Sequence, residues 1–432
     1  MIQRNHRQFD RRRFLGCTAA TIAAPYVITS TALGAQDRPP ASERISVGFI
    51  GLGGHGIDRN LKMFLGQPDA EPVALCDVDA QRIAVGLSEV RKKRGEEFTC
   101  PMTQDWREVI ARSDIDAVMI STADQWHVPI SLAAIRSGKD VICEKPTLTI
   151  AEGRRLVETV ERYGAVFQLS TEDRSVEIYH RMAELVRNGR IGKLERIYVQ
   201  LPAGPEGPGD PQPKPVPEGF DWEMWQGPAP RKPYREGLHM HHWRWNRDYS
   251  GGMITDWGAH LLDTSQWAND TEHSGPVQIE GSGIRHESGL YDTYHEFHVK
   301  YRYANGVELF VDSGGTGLKF EGSEGWIGNN AWRQPLEASS QGILDSVIGP
   351  DDLHLFTCLG GEHRNFLDCV KSRRDPYFPA EIGHRCCTVA HLGNIAMDLG
   401  RKLRWNPVSE EFVDDEMANR MRSRAMREPW RL

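Results

Sequence analysis

Residues 45–79 read ISVGFIGLGGHGIDRNLKMFLGQPDAEPVALCDVD, and this run decides the fold. Ile45–Ile50 is a short apolar stretch suited to a buried parallel strand, and it feeds directly into Gly51-Leu52-Gly53-Gly54-His55-Gly56, which opens a helix. The glycines have separate tasks. Gly51 permits the tight strand-to-helix turn, Gly53 lets the backbone approach a pyrophosphate, and Gly56 lets the helix pack closely on the strand. Gly54 and His55 share that loop and count with them as cofactor contacts, the pyrophosphate sitting at the positive helix N-terminus. A second strand at 72–76 ends at Asp77, about 20 residues past the last glycine, where an acid accepts hydrogen bonds from the adenosine ribose hydroxyls. Strand, glycines, helix and acid together predict a dinucleotide site. Asp77 would repel a 2′-phosphate, which favours NAD over NADP; Arg82, five residues on, keeps NADP as the lesser alternative.

Working outward, helical patterns at 80–94, 129–137 and 151–163 alternate with strand patterns at 117–121, 140–143 and 166–169. Strands alternating with helices argue for a doubly wound parallel sheet, placing a Rossmann domain at 44–170. From about Arg174 the character changes. A helix at 176–188 and a strand at 194–201 precede a Pro/Gly-rich tract at 202–219, which cannot pair as a central strand and reads as a surface excursion or oligomer-contacting loop. Runs at 277–281, 293–303, 307–312 and 318–320 alternate more strongly, as strands of an open, mostly antiparallel sheet with one face under helices do. Helices at 363–371 and 381–399 would pack back on the nucleotide domain. The expected fold is α/β: an N-terminal Rossmann domain, a C-terminal α+β domain at 171–407 for substrate binding and oligomerisation, and a tail at 408–432.

The 432 residues suffice for two cores, and a composition 39% hydrophobic and 26% charged is that of a soluble globular protein. A formal net charge of −8 offers no basic footprint for nucleic acid or an anionic membrane. The N-terminus differs: Asp10-Arg11-Arg12-Arg13-Phe14-Leu15-Gly16 is followed by an uncharged, weakly apolar stretch at 17–33. This resembles a twin-arginine signal over residues 1–34, too short and too rich in Thr and Ala for a stable span, with cleavage after Gly34. It implies the twin-arginine export machinery as a partner, a periplasmic destination without membrane insertion after processing, and NAD bound tightly enough to travel with folded cargo. The eight cysteines show no CxxC or zinc spacing.

The strand at 140–143 ends in Glu144-Lys145-Pro146, and open α/β sheets bind ligands beyond the carboxyl ends of their strands. Lys145 therefore points toward the nicotinamide end. Glu144-Lys145-Pro146, together with Gly251-Gly252-x-x-x-Asp256-x-x-x-His260, resembles the glucose-fructose oxidoreductase/inositol dehydrogenase (Gfo/Idh/MocA) family. The similarity extends to Asp124-Gln125-Trp126-His127, residues 168–174, 317–326 and 391–407. In that family the equivalents of Lys145, Asp256 and His260 form the catalytic set. The resemblance implies His260 as acid/base, Lys145 as polariser of the hydroxyl or carbonyl, with these two roles exchangeable, and Asp256 as an orienting or substrate-binding carboxylate. Oxidising a secondary alcohol asks for such groups: a base for the hydroxyl proton and a donor for developing alkoxide character. Asp256 and His260, four apart, would share one helix face.

Thr122, Trp126, His127 and Glu144 join the expected cofactor contacts. The tract GLHMHHWRWNR at 237–247 supplies His242, Trp243 and Arg244 as expected sugar contacts, with Arg174 as another. His239, His241 and His242 invite a metal reading, but no acid or cysteine set accompanies them at a recognised spacing, and no metal is assigned. The reading is an exported NAD(H)-dependent oxidoreductase acting on a secondary alcohol or ketone of a sugar, polyol or glycoside. The first rival is an NAD-dependent glycosidase working by transient sugar oxidation, elimination and re-reduction. The second is a non-catalytic sugar-binding protein. The family resemblance also implies a homodimer or homotetramer.

Overall fold

The computed structural model describes residues 38–432 apart from 239, 240 and 359, so the segment read as an export signal, and His239, lie outside the described residues. Residues 38–44 form one small unit with a 3-10 turn at Ala41–Glu43, and residues 45–432 form the body of the protein.

The first half of that body is a six-stranded sheet of β1 (Ile45–Ile50), β2 (Ala70–Cys76), β3 (Met102–Thr103), β4 (Ala117–Ile120), β5 (Asp140–Glu144) and β6 (Phe167–Ser170). All pairs are parallel, in the order β3-β2-β1-β4-β5-β6. The central strands are apolar without alternation because helices cover both faces, and Val47, Ala117, Val118 and Val141 are fully buried. Caps start the crossover helices: Asp79 accepts the Gln81 amide and Thr149 that of Glu152. Strand order reverses between β1 and β4, which opens a crevice at their carboxyl ends.

One helix begins earlier than its sequence suggests. Pro129 reads as a helix start, yet the helix runs Asp124–Arg136 with Pro129 inside it. Proline cannot donate to the carbonyl four residues back, that of Gln125. Arg424, from the C-terminal tail, donates to that carbonyl at 3.1 Å.

The second sheet has nine strands: β7 (Leu194–Leu201), β8 (Pro276–Ile284), β9 (Glu296–Tyr303), β10 (Glu308–Ser313), β11 (Leu318–Gly322), β12 (Gly325–Asn329), β13 (Glu337–Ala338), β14 (Leu403–Asn406) and β15 (Glu411–Phe412). Their order is β13-β12-β11-β7-β10-β9-β8-β14-β15, and only β7 and β10 pair in parallel. Along β7, Ile197, Val199 and Leu201 are buried. The inner face packs under the helices Glu177–Arg187, Gly258–Ala268 and Ala380–Leu399. The outer face carries Lys319, Tyr198, Phe310 and Lys300 in one transverse row, with the Tyr198 and Phe310 rings stacked at 5.3 Å.

Two late segments tie the halves together. Helix Gly361–Ser372 puts Phe366 and Leu367 into the same core as Val47, Phe49 and Leu75 of the first sheet. The tail is no loose appendage: Arg424 Nε lies 2.6 Å from Glu152 Oε1, and Trp430 meets Trp126 edge-on at 4.7 Å.

Candidate active site

The glycine loop fits a dinucleotide. Gly51 has φ +94°, and a Cβ there would sit 2.4 Å from the Ser121 carbonyl oxygen; one on Gly56 would sit 2.4 Å from the Gly51 carbonyl. No side chain is tolerated at either position, whereas nothing lies within 4 Å of a Cβ placed on Gly53, which leaves room for a ligand to approach. The cleft of about 360 Å3 above this loop is lined by Gly51, Gly53, Gly54, His55, Gly56, Asp77, Thr122, Trp126, His127, Glu144 and Lys145, every cofactor contact expected from sequence. Glu144 Oε1 accepts from Asn60 Nδ2 at 2.9 Å and lies 3.1 Å from His55 Nε2. Burial alone would raise Glu144, but His55 and Asn60 outweigh it and keep the carboxylate ionised. The hydrogen bond to Glu144 in turn holds His55 above the usual histidine range.

Asp77 accepts the backbone amides of Leu52 and Asp79, at 2.5 and 2.8 Å, so it braces the glycine loop as well as facing the cleft. Burial pushes its carboxyl up to about 6, against the pull of those amides. Only the ionised form offers its full set of acceptors to ribose hydroxyls, so binding favours deprotonation. The sign follows: dinucleotide affinity is expected to fall about tenfold as pH drops from 7 to 5, through Asp77 protonation, and Asp77→Asn should flatten that slope. Fluorescence titration of the cofactor across this range checks it, and an unchanged slope in the variant would remove Asp77 from the ribose site.

The structure brings Lys145, Asp256 and His260 to one end of the same cleft. Lys145 follows β5 directly, at a cis Lys145-Pro146 bond. Its Nζ donates to Asp256 Oδ1 at 2.7 Å and to the Asp256 main-chain carbonyl at 2.8 Å. That carbonyl is available because the helix breaks: Met253–Asp256 and Gly258–Ala268 are separate, and the His260 amide bonds Trp257 instead. The single continuous helix expected around Asp256 and His260 is therefore two, and the break supplies the lysine's second acceptor. Burial works to discharge Lys145, but Asp256 outweighs it and holds the ammonium above its usual range. Asp256 is held well below the carboxylate range, burial being overcome by Lys145 and then by Arg244, whose Nε stands 3.3 Å away.

His260 is oriented by residues the sequence reading passed over. Its Nδ1 lies 2.9 Å from Asp173 Oδ2 and 3.1 Å from the Thr171 hydroxyl, the better aligned of the two. Asp173 is fully buried and also accepts from Trp332 Nε1 at 3.2 Å. Burial would raise Asp173; the facing His260 and Trp332 more than offset that and keep it below the usual range. Trp225, Trp243, Trp257 and Trp332 wall the cleft, giving flat apolar faces of the kind that stack on sugar C–H surfaces.

Two expected substrate contacts are elsewhere. Arg174 does not line the cleft: it is buried in a bidentate pair with Asp263, both bonds 2.7 Å, with Glu272 at 3.1 Å and the rings of Trp267 and Phe378 against its guanidinium. His242 lies on a 3-10 turn, His242–Trp245, where side chains three apart eclipse, so it stacks on Trp245 at 4.9 Å outside the cleft. Trp243 and Arg244 from the same turn do face inward. Trp126 and His127 line the cleft but are also braces: Trp126 Nε1 donates to the Met224 carbonyl at 2.9 Å, and the His127 ring nitrogens approach the carbonyls of Pro146 and Thr122 at 2.8 and 3.0 Å. Nearby, buried Asp124 accepts from the Ser250 hydroxyl at 2.7 Å and is pushed up to about 8 by burial. Among the described residues no His, Cys, Asp and Glu side chains converge as a metal site.

Comparison with known proteins agrees with this geometry. Residues 45–171 match the oxidoreductase family's NAD-binding Rossmann fold, and residues 206–432 match its C-terminal alpha/beta domain. A 1,5-anhydro-D-fructose reductase of Ensifer adhaerens is 27% identical over 249 residues, covering 52% of this chain and 61% of that protein. A glycosyl hydrolase family 109 protein of Shewanella pealeana is 31% identical over 218 residues, 44% of this chain and 46% of the relative. The chain thus spans about half the length of the curated relatives it matches. An aldose-aldose oxidoreductase from Caulobacter crescentus shares the fold at a TM-score of 0.62 and 17% identity, over 84% of this chain and 97–99% of such neighbours. Parallel sheet, glycine loop and matched domains together place the chain in the Gfo/Idh/MocA oxidoreductase family.

Proposed function

We propose that this protein is an NAD(H)-dependent oxidoreductase that interconverts a secondary alcohol and a ketone on a sugar, polyol or glycoside. The observation that carries the reading is the buried Lys145–Asp256 pair beside His260, in the cleft that also holds the dinucleotide loop. Bound NAD supplies a hydride acceptor at its nicotinamide. The chain's own residues do the rest. Lys145, its charge secured by Asp256, donates a hydrogen bond to the substrate oxygen and stabilises alkoxide character. Asp173 can only accept, so it favours the His260 tautomer with the proton on Nδ1, leaving Nε2 to take the hydroxyl proton. The tryptophan walls exclude water and orient the ring.

A second reading has its own support. The matched family 109 relative is named a glycosyl hydrolase, and a cycle of oxidation, elimination and re-reduction regenerates its own cofactor. Retention of Lys145 favours the oxidoreductase. The intact Gly51, Gly53, Gly56, Asp77, Lys145, Asp256 and His260 oppose a vestigial sugar-binding protein. The test is to identify the dinucleotide that copurifies with the mature protein, then follow reduced-nicotinamide absorbance while adding sugars singly. Lasting reduction by one sugar is expected; aglycone release without net reduction would establish the glycosidase instead.

Export by the twin-arginine route, with NAD already bound, is part of the proposal. Seven cysteines, from Cys76 to Cys387, are buried and free among the described residues, so this part of the fold forms without oxidation, as cargo folded before export must. No helix of the described residues is long and apolar enough to cross a membrane. Assembly as a dimer or tetramer would use the outer face of the nine-stranded sheet, where the Tyr198–Phe310 row lies.

A further inference from the structure

We propose that His241 is a cofactor clamp, reaching from the second domain across the cleft to donate a hydrogen bond from Nε2 to the dinucleotide's pyrophosphate. The inference rests on the dinucleotide reading and deepens it.

His241 lines the cleft, and its Nε2 lies 3.7 Å from the position a Cβ on Gly54 would occupy. Gly54 belongs to the loop whose amides receive the pyrophosphate, so the ring closes that anion site from the side opposite the backbone. The direction of the donor is set by Arg244. Its Nη1 approaches His241 Nδ1 and the His241 carbonyl, both at 3.4 Å, and its guanidinium lies over the Trp243 ring at 4.4 Å. A guanidinium only donates, so Nδ1 must accept and the ring proton resides on Nε2, facing the glycine loop. Partial burial, then Arg244, holds the ring below the usual histidine range, which keeps it in this neutral tautomer. The other charged or titratable groups acting on it are His242, Asp256 and His55.

The clamp is wired to the chemistry. Arg244 Nε also stands 3.3 Å from Asp256 Oδ2, and Asp256 Oδ1 accepts from Lys145 at 2.7 Å. A continuous polar chain, His241–Arg244–Asp256–Lys145, therefore joins the phosphate end of the cofactor site to the catalytic lysine. The neighbouring His242 turns out to Trp245, so one histidine of the pair alone serves the site.

The test compares wild type, His241→Ala and His241→Gln, titrated with NAD+, ADP-ribose and adenosine and read by tryptophan fluorescence. His241→Ala should bind NAD+ and ADP-ribose about tenfold more weakly or worse, with adenosine unchanged, and His241→Gln, which retains a side-chain N–H, should recover part of the loss. Equal ADP-ribose affinity in His241→Ala, or a parallel loss for adenosine, would overturn the clamp. A wild-type protein that binds neither NAD+ nor ADP-ribose overturns the dinucleotide reading and the clamp with it, a result distinct from the other two.

Discussion

Lys145→Met is expected to lower turnover about a thousandfold or more while the protein still folds and binds NAD. Methionine keeps the length and apolar stem of lysine but removes the ammonium that Asp256 holds at 2.7 Å. Two losses follow. The substrate oxygen loses its polarising donor, a contribution of about 10²–10³ in comparable sites. Asp256 loses the first of the two cations that offset its burial, leaving Arg244 at 3.3 Å, so its carboxylate moves back toward the neutral form and the field at the reacting carbon weakens. Folding should survive, because Arg244 still partners the buried carboxylate, limiting the cost to less than the ~3–5 kcal/mol of an orphaned charge. Single-turnover reduction of bound NAD, set beside NAD affinity, separates the outcomes. Undiminished hydride transfer would move the catalytic centre elsewhere.

Arg174→Met is expected to act on stability instead, by about 3–5 kcal/mol, with kcat and KM of the folded protein unchanged. Asp263 is fully buried and takes both its 2.7 Å bonds from this guanidinium. Burial pushes Asp263 up even with Arg174 present, so without it the residue must protonate or stay charged and unpaired. Adding Asp263→Leu should recover part of the loss, since replacing both partners removes the orphan. Denaturant midpoints measure this. A rise in KM at wild-type stability would return Arg174 to the substrate site.

These two residues also mark how far the sequence carries. β1, β7 and the helix Ala80–Arg94 lie where their apolar periods place them, because each pattern is local and its caps adjoin it. The glycine loop and the Lys145, Asp256, His260 set were legible because a motif states a backbone geometry as well as a chemistry. The partners of His260 were not. The family resemblance over residues 168–174 pointed at the loop after β6, but that loop contains a 3-10 turn, Asp173–Ser175, in which adjacent side chains diverge by about a third of a turn. Asp173 faces the histidine and Arg174 faces the core, and no periodicity distinguishes them. Trp332 reaches the site from the connection between β12 and β13, and His241 from a turn that sequence pattern alone does not define. Two short pieces, β3 and the helix Trp106–Ala111, escaped because two residues make no alternation and six residues make under two helical turns.

The ties made by Phe366, Leu367, Arg424 and Trp430 bear on how the chain is completed during synthesis. The first sheet is fully translated by Ser170, yet Phe366 and Leu367, which complete the core on one of its faces beside the sheet's own helices, emerge from the ribosome roughly two hundred positions later, and the carbonyl freed by Pro129 waits longer still for Arg424. A nascent nucleotide domain would therefore hold an unfinished apolar patch, where Phe366 and Leu367 later pack, for most of translation. Its last packing contacts close only once the second half has been made.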